Sequence, residues 1–201
     1  MDSFYSRSEL EHIGFATIGK NVLLSRKASI YSPAMISIGD NVRIDDFCIL
    51  SGCIGIGSQV HISAYVALYG GMGITIEDYS GVSARTTIYS AVDDFGGDYL
   101  IGPMCPVEMT HVMGGPVVLQ KYVQVGASCV VMPSLTVAEG SVVGAMSFVN
   151  QSLASWGIYA GVPVRRLRDR SKKLLKFTKE LICQKVITHL SLFLYMIVWI
   201  I

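Results

Sequence analysis

Histidine is the side chain whose ordinary titration lies near neutral pH, so it is the usual proton acceptor where a weak nucleophile must be activated. This 201-residue chain has four. His12 lies in a polar lead-in and His189 in an apolar tail, settings that gather no other reactive groups. His61 and His111 are the candidates: His61 precedes Ile62 in Val60-His61-Ile62-Ser63-Ala64, and His111 sits in Met109-Thr110-His111-Val112 within a long irregular stretch. Asp93 and Asp94 are the carboxylates to set beside either of them. A carboxylate against an imidazole raises its basicity and fixes its tautomer, and the same carboxylates could bind acceptor hydroxyls. Purely structural roles stay open as well, with His61 at a subunit contact and the aspartates as turn residues ahead of Gly96-Gly97.

The elements that would carry these groups show a period of six. Leu119, Val125, Val131, Val137, Val143 and Val149 are equally spaced, with Val123, Cys129, Leu135, Ser141 and Ser147 four residues after the first five. Ile38, Ile44, Leu50, Ile56, Ile62, Leu68 and Ile74 repeat the pattern earlier. Neither an α-helix nor a two-periodic strand has this period. Six-residue repeats of this kind make a parallel β-helix, an all-β coil in which three repeats close one triangular turn and the aliphatics stack inward as ladders. Register slips between Ile36 and Ile38 and between Ile74 and Ile76 fit residues bulged at corners. On this pattern His61 faces outward on a prism wall.

Between Ile88 and Leu119 the repeat is lost. Loops of that length inside a domain are usually functional or disordered, and residues 89–118, with Tyr89, Phe95, Tyr99, Leu100, Met104 and Met109, have apolar groups with which to dock, the neighbouring subunit being the expected partner. Composition narrows the function classes. A net charge of +1 lacks the basic excess of a phosphate-tracking protein, so no nucleic-acid partner is expected. The five cysteines, odd in number and without a paired C-x-x-C spacing, read as core or surface thiols of a reducing compartment, with no metal site implied. The N-terminus has no basic segment followed by an apolar run, which makes the cytoplasm the expected location.

The hexad array, the loop thrown out mid-coil and the segment Gly157-Ile158-Tyr159-Ala160-Gly161-Val162-Pro163-Val164-Arg165-Arg166 together resemble the hexapeptide-repeat acyltransferase superfamily. Over residues 18 to 175 the chain is most similar to sugar O-acetyltransferases of the galactoside acetyltransferase type. The resemblance implies a left-handed coil, a homotrimer with sites between subunits, acetyl-coenzyme A as donor without metal, and a carbohydrate hydroxyl as acceptor. Gly126-Ala127-Ser128 and Gly144-Ala145-Met146, one eighteen-residue turn apart, would stack into a trough free of bulky side chains for the pantetheine arm. Arg165 and Arg166 would meet the coenzyme's phosphates; equally, the glycines could serve only as corners and the arginines as the solvated start of a helix. Absence of Ser-His-Asp or Cys-His spacing favours direct transfer in a ternary complex over an acyl-enzyme.

One departure matters. Galactoside and maltose acetyltransferases carry their catalytic histidine soon after the coil breaks off, where this chain has Tyr89-Ser90-Ala91-Val92-Asp93-Asp94. The His61 segment instead resembles the histidine-bearing coil of N-acetyltransferases of nucleotide-linked amino sugars. His61 is therefore the expected base, oriented by Asp93 or Asp94, with His111 as the alternative. The expected reaction is O-acetylation, the alternatives being N-acetylation of such a sugar or an inactive β-helix scaffold. Domain boundaries are expected at 1–164 for the coil and 165–201 for a tail, in which Arg165 to Lys179 reads as a capping helix. Leu190 to Ile201 is apolar but short of a membrane span, leaving a peripheral membrane anchor, a buried helix or an aberrant end as readings.

Overall fold

The structure is a computed structural model and describes residues 3–181. The inward ladder runs along the whole coil: every aliphatic of the six-residue series from Ile38 to Ile74 and from Leu119 to Val149 is at most 4% exposed. Short parallel strands stack into three walls. The first wall runs from Thr17–Ile18 through Ile36–Ile38 to Val117–Leu119 and Leu135–Val137. The second runs from Leu23–Leu24 through Arg43–Ile44, His61–Ile62, Gly81–Val82 and Gln124–Val125 to Val142–Val143 and Gly157–Ala160. The third runs from Ser29–Tyr31 to Thr87–Tyr89, Val130–Val131 and Phe148–Val149. This is the parallel β-helix that the repeat predicts.

The secondary ladder is also inward. Cys48, Val66, Thr86, Cys129 and Ser147 are buried one above another, and their polar members are satisfied, Thr86 Oγ1 donating to the Gly126 carbonyl and Ser147 Oγ to that of Gly144. Small or hydroxylated residues suit these positions because a corner carbonyl lies within their reach.

Most tight corners are made by residues other than glycine in the left-handed region. Asn41, Gln59, Tyr79, Tyr122 and Trp156 at one edge, and Phe47, Tyr65, Arg85, Ser128 and Met146 at the next, have φ between 56° and 63°. Each carries a conformational cost for an L-residue, offset here by stacking along the edge. The Phe47 and Tyr65 rings lie 4.9 Å apart, and those of Tyr79 and Tyr122 5.3 Å. Several glycines stand instead where coils touch: a Cβ on Gly39 would fall 2.7 Å from the Gly57 backbone.

The residues added to the coil leave through the third edge, between the third and first walls. Register offsets show that two extra residues enter between Ile30 and Ile36, where Pro33–Met35 forms a 3-10 turn. Two more enter at Gly70 to Gly73. The long excursion leaves the same edge after Tyr89 and returns before Val117, its base an antiparallel ribbon of Ala91–Asp93 with Val112–Gly114. An edge where strands of adjacent walls need not be hydrogen-bonded end to end is the one place where residues can be added without shearing the ladders.

At the termini one expectation, the helix from Arg165, is corrected. The N-terminal helix is Arg7–Ile13, capped by Ser6 and Glu9 in a capping box, with Leu10 buried; Phe4 lies outside it, bridging Ser25. Arg165–Asp169, expected as helix, is a strand antiparallel to Gly157–Ala160. Its Arg and Leu residues fit either state, and the last wall offers an open edge that a returning strand can cover. The first compact unit ends at Arg170, and the unit that begins at Ser171 holds a helix over 174–181. The readings of His189, Cys183 and the apolar segment 190–201 lie outside the described residues. Among the described residues no helix is long and apolar enough to cross a membrane.

Candidate functional site

His61 is placed outward on the second wall, as its hexad position requires, and is exposed. It lines a polar groove of ≈ 390 Å³ together with Asn41, Arg43, Gln59, Ser83 and Gln124. Its Nε2 lies 2.8 Å from Asp45 Oδ2, and Arg43 Nε donates to Asp45 Oδ1 at 2.7 Å. Partial burial works to raise the Asp45 carboxyl, but the hydrogen bonds from Arg43 and His61 outweigh it and hold it below the usual carboxylate range. Asp45 is thus the orienting carboxylate of His61, in place of Asp93 or Asp94. The coil's register brings the pair together: Arg43 and His61 are register partners on adjacent coils, and Asp45, two residues beyond Arg43, points to the same outer face.

The aspartates lie on the loop and differ from each other. Asp94 is buried, and its carboxylate accepts the backbone N–H groups of Gly96, Gly97, Asp98 and Tyr99 at 2.9 to 3.3 Å. The Gly96 bond above all, against the opposing effect of burial, holds this carboxyl below its ordinary value. Asp94 therefore ties the turn of the loop, the role that Asp before Gly-Gly suggests. Asp93 is half-buried, and among the described residues its carboxylate has no hydrogen-bond or ion-pair partner. It lines an apolar pocket of ≈ 500 Å³ with Tyr89, Ala91, Val92 and Phe95 from the loop side and Met132 and Phe148 from the coil. His111 is exposed; its ring lies 5.0 Å from that of Tyr99, and its carbonyl accepts the Asp94 N–H at 3.0 Å. Within one chain the groove of His61 and the pocket of Asp93 are separate.

The stacked corner is present. Gly126 donates to the Val143 carbonyl and Met146 to that of Ala127, both at 2.8 Å, which sets Gly126-Ala127 directly over Gly144-Ala145. Close approach requires glycine at both levels: a Cβ on Gly126 would fall 2.5 Å from the Ala145 nitrogen, and one on Gly144 2.9 Å from the Ala160 Cβ. Arg165 pairs in register with Ala160 on the adjoining edge strand, with its side chain exposed; Arg166 is held by Asp169. A small-residue track flanked by arginines can take a long polar arm ending in phosphates. Among the described residues no group of acidic, histidine and cysteine side chains has the arrangement to hold a metal ion.

Ser83 lines the same groove as His61. It sits at the end of the groove, where Gln124 Nε2 donates to its Oγ at 3.1 Å, one residue before the Ala84-Arg85 corner that stacks against Ser128.

No protein-family model matches the chain. Among curated proteins it is 38% identical over 177 residues to an Escherichia coli dTDP-4-amino-4,6-dideoxy-D-glucose acyltransferase, covering 87% of this chain and 92% of that one. Among solved structures it superposes with a TM-score of 0.89 and 52% identity on AntD, an N-acyltransferase from Bacillus cereus in complex with dTDP and 3-hydroxybutyryl-CoA, over 92% of this chain and 99% of that one. A Vibrio cholerae hexapeptide-repeat acetyltransferase complexed with acetyl-coenzyme A, at 22% identity and a TM-score of 0.57 over 83% of this chain and 77% of that one, shares the fold. With its hexad ladders, its mid-coil loop and this identity along nearly its whole length, the chain belongs to the hexapeptide-repeat acyltransferase family.

Proposed function

We propose that the protein is an N-acyltransferase that moves an acyl group from acyl-coenzyme A to the amino group of a dTDP-linked amino-dideoxy sugar, with Asp93 accepting the proton. The observation that carries the reading is the near full-length identity to enzymes described as acting on such sugars. The choice of Asp93 draws on the Bacillus cereus enzyme, which was solved as variants at a serine and at an aspartate ten residues further on. Ser83 and Asp93 are the single Ser–Asp pair at that spacing in this sequence.

The chemistry favours an amine over a hydroxyl for this carboxylate. A sugar hydroxyl must lose its proton as it attacks, which asks for a base near neutral strength. A neutral amine attacks unaided: its nitrogen bonds to the thioester carbonyl carbon, and only then is its proton acidic enough for a carboxylate to take. Collapse of the adduct breaks the C–S bond, and the proton passes to the departing thiolate, giving the amide and free coenzyme A. In this reading the Gly126-Ala127 and Gly144-Ala145 track carries the pantetheine arm, and Arg165 and Arg166 lie toward the phosphates. The homotrimer implied by the resemblance is part of the proposal, since a neighbouring subunit would wall the open groove and pocket.

One observation supports a second reading. The His61–Asp45 pair at 2.8 Å is built as a hydroxyl-activating base would be, and suits O-acetylation with acetyl-coenzyme A. Thiol release with dTDP-4-amino-4,6-dideoxyglucose, and the mass of the product, separate the two. Asp93→Asn is expected to lower kcat at least a hundredfold with coenzyme A binding kept, and His61→Ala to act mainly on KM. Full activity of Asp93→Asn with a dead His61→Ala would overturn the assignment of the base.

A further inference from the structure

We infer that Gln124 is a positioning residue for the reaction: it turns the Ser83 hydroxyl so that this group donates to the oxyanion formed when the thioester carbonyl is attacked. The inference rests on the proposed acyl transfer, with Ser83 at its reacting centre. Gln124 Nε2 lies 3.1 Å from Ser83 Oγ and 3.2 Å from the Val125 carbonyl oxygen. A backbone carbonyl only accepts, so the atom facing it is the amide nitrogen, and the direction of both bonds is fixed. Ser83 Oγ is therefore the acceptor from Gln124. Its own proton meets no acceptor among the described residues and is left for whatever occupies the groove that Ser83 lines.

Gly81 supplies a second observation. On the outer face of the second wall it pairs in register with His61 on one side and Gln124 on the other. It is strand backbone and lies outside the left-handed region, so no backbone conformation calls for glycine there. Space does: a Cβ would fall 2.6 Å from Gln124 Oε1 and 3.4 Å from the amide carbon and nitrogen. The bare position leaves room for the amide that reaches Ser83. A hydroxyl that already accepts one hydrogen bond is polarised and its proton is the better donor. Held in that direction before reaction, it needs no reorganisation as charge develops on the carbonyl oxygen. Ser83 keeps its proton throughout, and no covalent bond to it forms or breaks.

The test measures thiol release with dTDP-4-amino-4,6-dideoxyglucose and whichever of acetyl- and 3-hydroxybutyryl-coenzyme A the parent turns over faster, in variants shown by thermal melting to be folded. Ser83→Ala should lower kcat by about a hundredfold with the KM of the nucleotide sugar kept. Gln124→Ala should cost about tenfold in kcat. Gln124→Glu should cost about as much as Ser83→Ala, because its carboxylate accepts the serine proton instead of donating to the oxygen. Gly81→Ala, which displaces only the end of a flexible side chain, should melt with the parent and match Gln124→Ala in kcat. Added to Ser83→Ala, neither change at Gln124 should cost anything further. Parental kcat in Gln124→Ala or Gly81→Ala would overturn the inference, and so would losses at Gln124 that multiply in full with that of Ser83→Ala. If the parent shows no turnover, the proposed reaction fails on its own, and Ser83→Cys still decides the positioning. A donor at that sulfur favours the thiolate, so the pH midpoint of its alkylation by iodoacetamide, followed by peptide mass mapping, should rise by about one unit when Gln124→Ala is added; equal midpoints would overturn the inference.

Discussion

Replacing Gly126 by alanine adds one carbon at the point where two coils come closest. That carbon would lie 2.5 Å from the Ala145 nitrogen and 2.8 Å from the Gly144 carbon and the Val143 oxygen, all backbone atoms that no rotamer change can move aside. Ordinary contact begins near 3.4 Å, so the coils must part locally by about 0.9 Å. The bonds from Gly126 to Val143 and from Met146 to Ala127, both 2.8 Å, would stretch to roughly 3.7 Å, beyond hydrogen-bonding range. Overpacking costs about 1–3 kcal/mol and each lost bond about 1 kcal/mol, giving roughly 3–5 kcal/mol in all. For a domain of this size each kcal/mol lowers Tm by about 2–4 °C, so the melting temperature should fall by about 6–20 °C. Gly71→Ala is the control, because its new carbon would meet only the Ala91 Cβ at an ordinary 3.5 Å. Thermal unfolding followed by circular dichroism measures both. A Gly126→Ala protein that melts with the parent would refute the steric argument for the corner. A destabilised variant that still binds coenzyme A with parental affinity below its melting point would show that Gly126 serves the coil alone.

Two further outcomes follow from charge and burial. The Asp45 carboxyl is held below its ordinary value in the folded protein, so its contribution to stability is complete above the unfolded value near 4 and is lost as pH falls through the lower folded value. Asp45→Asn should therefore flatten the acid limb of the stability curve below about pH 4, and an unchanged limb in urea titrations would count against the pair. Among the thiols, burial raises Cys48 to about 11 and also raises Cys129, while Cys53 is exposed and Cys105 partly so. Iodoacetamide with peptide mass mapping should label Cys53 and Cys105 in the native protein and Cys48 and Cys129 only after unfolding; native labelling of Cys48 would contradict its place in the inner ladder.

The fold was legible because its information is one-dimensional: each inward aliphatic, such as Ile62 or Val131, recurs at a fixed spacing, and stacking needs nothing that the spacing does not state. The loop was legible for the same reason, as a break in the period. The chain's chemistry was less so. Asp45 and His61 lie sixteen residues apart and meet only because one coil lies on the next, and a diagonal contact across a wall leaves no mark on the hexad. The hexad could not distinguish Asp93 from Asp94 either, since both precede Gly96-Gly97; the loop's folding consumed one carboxylate in four backbone bonds and left its neighbour facing a pocket. Arg165–Asp169 shows the reverse error. Its local preference suits a helix, and the open edge at Gly157–Ala160 makes it a strand. Sequence periodicity alone thus determined the coil, its inward residues and the site of the excursion, since those depend on neighbours at fixed separations. The partner of His61, the division of labour between the aspartates and the pocket beneath Phe95 depend on groups that only the closed prism and its loop bring together, and the tertiary structure decided them.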